Sequence, residues 1–149
     1  MKKFTALISA YGVGVGIDFD FHGTFANTMD AHRMIQYYQE EMGPETVDKI
    51  VNSLYAQYFE SEASPSSHDT LLKAARDAGI VETEAEAFIG DEYKFLLETK
   101  MLIREQAGNG IDSVPYIVLE GRRRNFTIEG AKEVEEYLKE FEKVVKESK

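Results

Sequence analysis

The stretch Asp112-Ser-Val-Pro-Tyr-Ile-Val-Leu-Glu-Gly-Arg-Arg-Arg-Asn-Phe126 reads as the first strand and turn of a β-hairpin. Pro115 opens the apolar run Tyr116 to Leu119, a place where a strand needs no N–H from its first residue. Gly121 then marks the turn into a second run, Asn125 to Ile128. Upstream and downstream of this hairpin the apolar residues recur at helical spacing. The pattern therefore predicts an α+β protein that is mostly helical, with one hairpin near its carboxyl end.

Working back from the hairpin, Asp91 to Ala107 reads as a long helix ended by Gly108-Asn-Gly110, and Thr83 to Ile89 as a brief one. Ser67 is placed to cap a helix carrying Leu71, Leu72 and Ala75 as far as Gly79. Pro44 suits the first turn of a helix running to about Glu60, with Val47, Ile50, Val51, Leu54 and Tyr58 on its apolar face. Asn27 is a good N-cap for a preceding helix, Thr28 to Met42, whose stripe is Ala31, Met34, Ile35 and Tyr38. So short a link at Gly43-Pro44 implies an antiparallel helix pair. Further upstream, Ile17 to Phe21 alternates strictly, which puts Ile17, Phe19 and Phe21 on one face and Asp18 and Asp20 on the other. Residues 3 to 11 fit a short helix, expected to stop at Gly12 because glycine costs about 1 kcal/mol in a helix interior. Gly12, Gly14 and Gly16 lack the spacing of a dinucleotide loop and read as a linker. Beyond the hairpin, Gly130 releases the chain into a last helix with Val134, Tyr137, Leu138, Phe141 and Val145 on one side.

Composition narrows the function. With 149 residues, 43% of them hydrophobic, the chain is the size of one ordinary domain and can bury about two-thirds of its unfolded surface. The net charge of −10 argues against nucleic acid or an anionic membrane as partner, since both demand a basic face. Arg122 to Arg124 is too short a run to change that and reads as a solvated turn. No cysteine is present, which removes disulfides, thiolate metal sites and thiol nucleophiles. The amino end carries Lys2, Lys3 and a few apolar residues, but at helical spacing and not as the unbroken block of a secretory signal. These features predict a cytoplasmic protein.

Three stretches together resemble one family. They are Gly16-Ile-Asp-Phe-Asp-Phe-His22-Gly23 with Asn27-Thr28 and Ala31-His32-Arg33; then Tyr58-Phe59 with Ser67-His68-Asp69; then Ser113-Val-Pro-Tyr-Ile-Val118 with Gly130-Ala131. In that order they are similar to the DsbA-like thioredoxin-fold oxidoreductases of the FrnE type, relatives of the 2-hydroxychromene-2-carboxylate isomerases. The resemblance covers nearly the whole sequence. It implies a helical insert domain, residues 1–108, followed by the hairpin and last helix of a partial thioredoxin fold, residues 109–149, in a single DsbA-like domain. It also implies that Pro115 is a cis-proline facing the active site. The family's strand–helix–strand bearing the Cys-x-x-Cys motif has no counterpart here, so the implied fold is truncated and thiol–disulfide exchange, which needs a thiolate, is not expected. Ser113 and Lys132 also depart from the glycine and glutamine usual in the family.

The residues available for other chemistry are few. Histidine titrates nearest neutrality, so His22, with Asp20 two residues away on an extended segment, and His32 are the candidate acid–base groups. Tyr116, next to Pro115, is a candidate donor. Asn27, Arg33 and Pro115 are candidate substrate contacts, although a helix cap explains Asn27 and a surface ion pair explains Arg33. The histidines at 22, 32 and 68 show no metal-ligand spacing, so neither metal nor cofactor is expected. The expected function is a redox-inactive, cofactor-independent isomerase or cyclase acting on an apolar small molecule. The alternatives are a non-catalytic binding protein and, less favoured, a redox subunit completed by a separate cysteine-bearing chain. An unpaired hairpin edge and an uncovered apolar face would invite association, so a homodimer is expected.

Overall fold

A computed structural model describes residues 2–23 and 25–147. Among these residues there are seven helices and one antiparallel hairpin, an α+β fold that is mostly helical. None of these helices is long and apolar enough to cross a membrane. The chain forms two compact units that divide between Lys100 and Met101.

The first unit is built on α2 (Met29–Met42), α3 (Pro44–Ser61), α4 (His68–Asp77) and α5 (Glu82–Gly90). The apolar residues read from the periodicity meet in one core. Met34, Tyr38 and Ile50 are fully buried, Phe88 is 1% exposed, and Leu54, Leu71, Leu72, Ala74 and Ala75 surround them. Each large apolar side chain so enclosed contributes about 1.5–3 kcal/mol relative to exposure. Caps fall close to where they were expected: Ser67 Oγ accepts from the Thr70 N–H at 3.2 Å, and Asn27 Oδ1 from the Met29 N–H at 2.9 Å, so that α2 starts at Met29. A polar thread crosses the core where α3 meets α4. Gln57 donates to the Thr70 carbonyl and to Ser53 Oγ, both at 3.1 Å, and Ser53 donates to Asp77.

Two elements differ from expectation. Helix α1 (Lys2–Gly14) runs through Gly12. The glycine is used for close approach: a Cβ there would lie 2.5 Å from the Phe19 ring, which rests on it. The helix stops only where Gly16 takes φ +81. The helix expected from Asp91 begins instead at Leu96, as α6 (Leu96–Gly108). Asp91 Oδ1 takes the Tyr93 and Lys94 N–H groups in a tight turn, and Phe95 adopts φ +60. The carbonyls of Asp91 and Lys94 accept from the Arg33 guanidinium at 2.9 and 2.6 Å, and Asp91 O also takes the Lys94 N–H at 3.3 Å, a three-residue turn in place of a helical one. Among the described residues Ile17 to Phe21 has no strand partner, but its alternation holds. Ile17, Phe19 and Phe21 line one hollow with Phe4, Ile8 and Phe59.

In the second unit β1 (Tyr116–Glu120) pairs with β2 (Asn125–Glu129), with Ile117 opposite Ile128 and Leu119 opposite Phe126. These four share a face, and α7 (Val134–Glu147) packs against both strands. Phe126 and Ile128 are buried there. Of the apolar stripe read on α7 only Tyr137 is half-buried, its hydroxyl accepting from the Lys132 N–H, while Val134, Leu138, Phe141 and Val145 are each at least half exposed.

Candidate functional site

The backbone N–H of Asp20 donates to the Phe59 carbonyl at 2.7 Å, which ties the extended segment to the last turn of α3. At the end of that helix Glu62 adopts a left-handed conformation, φ 54, and its carboxylate turns toward the same segment. The result is a cluster of three groups. His22 Nδ1 lies 2.6 Å from Asp20 Oδ1 and 3.6 Å from Glu62 Oε1, and the His22 N–H also donates to Asp20 Oδ1 at 3.0 Å. Asp20 and His22 do point the same way. The hydrogen bond to Asp20 and the charges of both carboxylates push the imidazole pKa up. The bonds from His22 hold Asp20 down, while sharing with Asp20 pushes Glu62 up.

Each of the three offers one ligand atom within 4.8 Å of the others, a geometry that could hold a cation. Histidine 22 is therefore not isolated from carboxylates, and Glu62, forty residues away in sequence, is the group that spacing did not reveal. The cluster is open to water, with the His22 side chain 88% exposed. A group so placed can exchange protons but has no walls to orient a reactant.

A walled site lies nearby on the first unit. Thr28, Ala31, His32 and Ile35 of the α2 side and Val51, Leu54, Tyr55, Tyr58 and Phe59 of α3 enclose, with Pro65, an apolar cleft of ≈ 280 Å³. Small-molecule sites usually measure about 300–1,000 Å³, so the cleft lies just under that range and suits a small ligand. His32 is exposed and is the imidazole on the cleft wall. Hydroxyls on Thr28, Tyr55 and Tyr58 are the remaining polar lining groups. Tyr58 was expected in the core and instead is half-buried at the cleft. Tyr55 and Phe59 were not named as site residues, although Tyr55, Tyr58 and Phe59 recur at i, i+3 and i+4, which puts one aromatic patch on α3 beside its apolar face.

Arg33 is 2% exposed, which corrects the surface reading. Its Nε pairs with Asp30 at 3.0 Å, Nη1 takes the two carbonyls described above, and the guanidinium lies 5.3 Å from the Phe88 ring centre. It fastens α2 to the turn before α6. Asn27 is exposed and stands one residue before the N-cap position, which Thr28 holds, its side chain accepting from the Met29 N–H in the turn that leads into α2. Tyr38, next to this region, is wholly buried with no hydrogen-bond partner for its hydroxyl among the described residues, and burial pushes its pKa up to about 12. Pro115 and Tyr116 belong to the second unit. The Val114–Pro115 peptide is cis, as the resemblance implied, and the Pro115 carbonyl accepts from the Gly130 N–H at 2.8 Å. Tyr116 is half-buried at the start of β1, opposite Glu129.

A helical unit followed by a cis-proline, a hairpin and a helix is matched by a family model, the DSBA-like thioredoxin domain, over residues 2–142. The chain belongs to that family. No curated protein matches it. Its 149 residues contain no cysteine, so they supply no thiolate for the attack on which disulfide exchange depends.

Proposed function

We propose that this chain is a redox-inactive DsbA-like protein, of the FrnE type, that binds an apolar small molecule in the cleft between α2 and α3. The observation that carries the reading is the composition of that cleft: aliphatic and aromatic walls, one imidazole at His32 and a few hydroxyls. Such walls bury a ring system and gain about 25 cal/mol for each Å² of apolar surface removed from water. The few polar groups set its orientation. Catalysis is the stronger form of the same reading. A bound ketone or enol with an acidic C–H beside His32 Nε2 or Nδ1 could lose and regain a proton there, which is isomerase or cyclase chemistry that requires no cofactor.

The test is a fluorescence titration with 1-anilinonaphthalene-8-sulfonate, a two-ring probe, on the parent and on Thr28→Phe. Thr28 stands exposed at the cleft and makes no side-chain capping bond, so a phenyl group there should fill the cleft without disturbing the core. Saturable one-to-one binding that Thr28→Phe weakens at least tenfold is expected. Equal binding by both proteins would remove the cleft from consideration. For the catalytic form, His32→Phe should lower kcat/KM by about 10²–10⁴-fold on whatever substrate is found, with an unchanged Tm. An unchanged rate would leave the cleft a binding site alone.

A further inference from the structure

On the second unit two unsatisfied surfaces lie side by side, and one partner satisfies both. The first is the outer edge of β1. The sheet has two strands among the described residues, and a hairpin alone is marginal in water. The Gly130 N–H bonds to the Pro115 carbonyl, and the Gly121 N–H to the Arg124 carbonyl. The register alternates from these fixed points, so Ile117 and Leu119 bond inward to β2. The N–H and C=O groups of Tyr116, Val118 and Glu120 therefore point outward, away from β2.

The second surface is the exposed stripe Val134, Leu138, Phe141 and Val145 on α7, whose 4-3-4 spacing is that of a helix-pairing seam. Its direction follows from the helix itself. Glu136 and Glu140 line a groove with Thr127, Ile128 and Glu129 of β2, and Glu147 bonds Arg124 just before β2. At 3.6 residues per turn the stripe lies about 150° around α7 from those three glutamates. It is turned to the β1 side, above the open strand edge.

We propose that a second copy of this chain docks here about a two-fold axis, joining β1 to its partner's β1 in antiparallel fashion and laying the two α7 stripes together. The dimensions agree. Strands are about 4.8 Å apart, and α7 lies over both strands of its hairpin, so each helix stands about one strand spacing from the axis. The two helices are then about 9.6 Å apart, inside the 8–10 Å range of packed helices. The operation that makes the strands antiparallel makes the helices antiparallel too, which opposes their dipoles favourably. Charge also permits it. In a chain of net charge −10, the rim beside the stripe holds Glu135, Lys139, Glu142 and Lys146 and is neutral. Antiparallel pairing of Leu138 with the partner's Phe141 brings Glu135 beside the partner's Lys146, and Glu142 beside the partner's Lys139. A specific interface buries roughly 1,200 Å² or more, and the strand edge adds to what the helix stripe buries.

The experiment is sedimentation velocity on the full 149-residue chain from about 1 to 100 µM, with far-UV circular dichroism for each variant. The parent should sediment at twice 16.9 kDa. Leu138→Glu places a charge in the seam, and Val118→Pro removes an outward N–H without touching a bond inside the hairpin. Both should return the monomer mass while keeping the parent's helicity, whereas Leu7→Glu on α1 should leave the dimer intact. Because the chain has no cysteine, Val118→Cys is a single thiol. Facing residues of a hydrogen-bonded strand pair are about 5.5 Å apart at Cα, within disulfide reach, so mild oxidation should link two copies. A monomeric parent at 100 µM, a dimer that Leu7→Glu breaks and Leu138→Glu spares, or a Val118→Cys protein that does not cross-link in dilute solution would each overturn the proposal.

Discussion

At the scale of single residues, the chemistry here is set by which polar groups are walled and which are not. His22 sits between Asp20 and Glu62, which raise its pKa, yet it stands in water. His32 stands on an apolar wall. Placement thus separates the two histidines that residue type alone made equivalent. The raised His22 pKa has a measurable sign. Its pairing favours the folded state at pH values below the unfolded imidazole's, and that contribution is lost as pH rises through the higher folded value. The matching depression of Asp20 favours the folded state above the unfolded carboxyl's pKa and is lost as pH falls through the lower folded one. Proton NMR titration should give His22 a midpoint above the ordinary 6.5, and Asp20→Asn should shift that midpoint downward. A His22 midpoint that Asp20→Asn leaves in place would mean that the carboxylate does not hold the ring in solution.

At the scale of elements, the first unit is a set of helices whose order depends on one buried cation. Arg33 joins α2 to the turn that delays α6 by pairing with Asp30, binding the carbonyls of Asp91 and Lys94, and facing Phe88. A hydrogen bond from a charged donor contributes about 1.5–3 kcal/mol, and both carbonyls would lose that donor, Asp91 O keeping only the Lys94 N–H. Arg33→Met keeps the stem's length and apolar contact but removes the guanidinium. It should cost about 2–4 kcal/mol in urea unfolding, with the slope unchanged. The helix pattern itself was legible because apolar spacing reports a buried stripe directly. The starts of α2, α3 and α4 were legible to within a residue or two, since Asn27, Pro44 and Ser67 act on the backbone next to them. The end of α1 and the start of α6 were not. In each case a distant group, the Phe19 ring or the Arg33 guanidinium, changes what local propensity would choose.

At the scale of the whole chain, membership of the DSBA-like thioredoxin family and the lack of cysteine point in different directions, toward a shape and away from the family's reaction. Purified protein should show no insulin-reducing activity with dithiothreitol above the buffer control. Turnover that follows the protein through purification would refute this, because no group in the 149 residues can form the mixed disulfide. The amino-acid sequence by itself determined the helix faces, the hairpin and its strand residues, the exclusion of thiol chemistry, and the pairing of Asp20 with His22. Each depends on periodicity, on composition or on neighbours two residues apart, and those are local properties. Only the tertiary structure decided that Glu62 joins that pair, that His32 rather than His22 stands on a walled cleft, that Arg33 is a buried clamp, and that the α7 stripe is left exposed. Those outcomes depend on which surfaces meet across tens of residues, and apolar spacing states that a face seeks cover without stating what covers it.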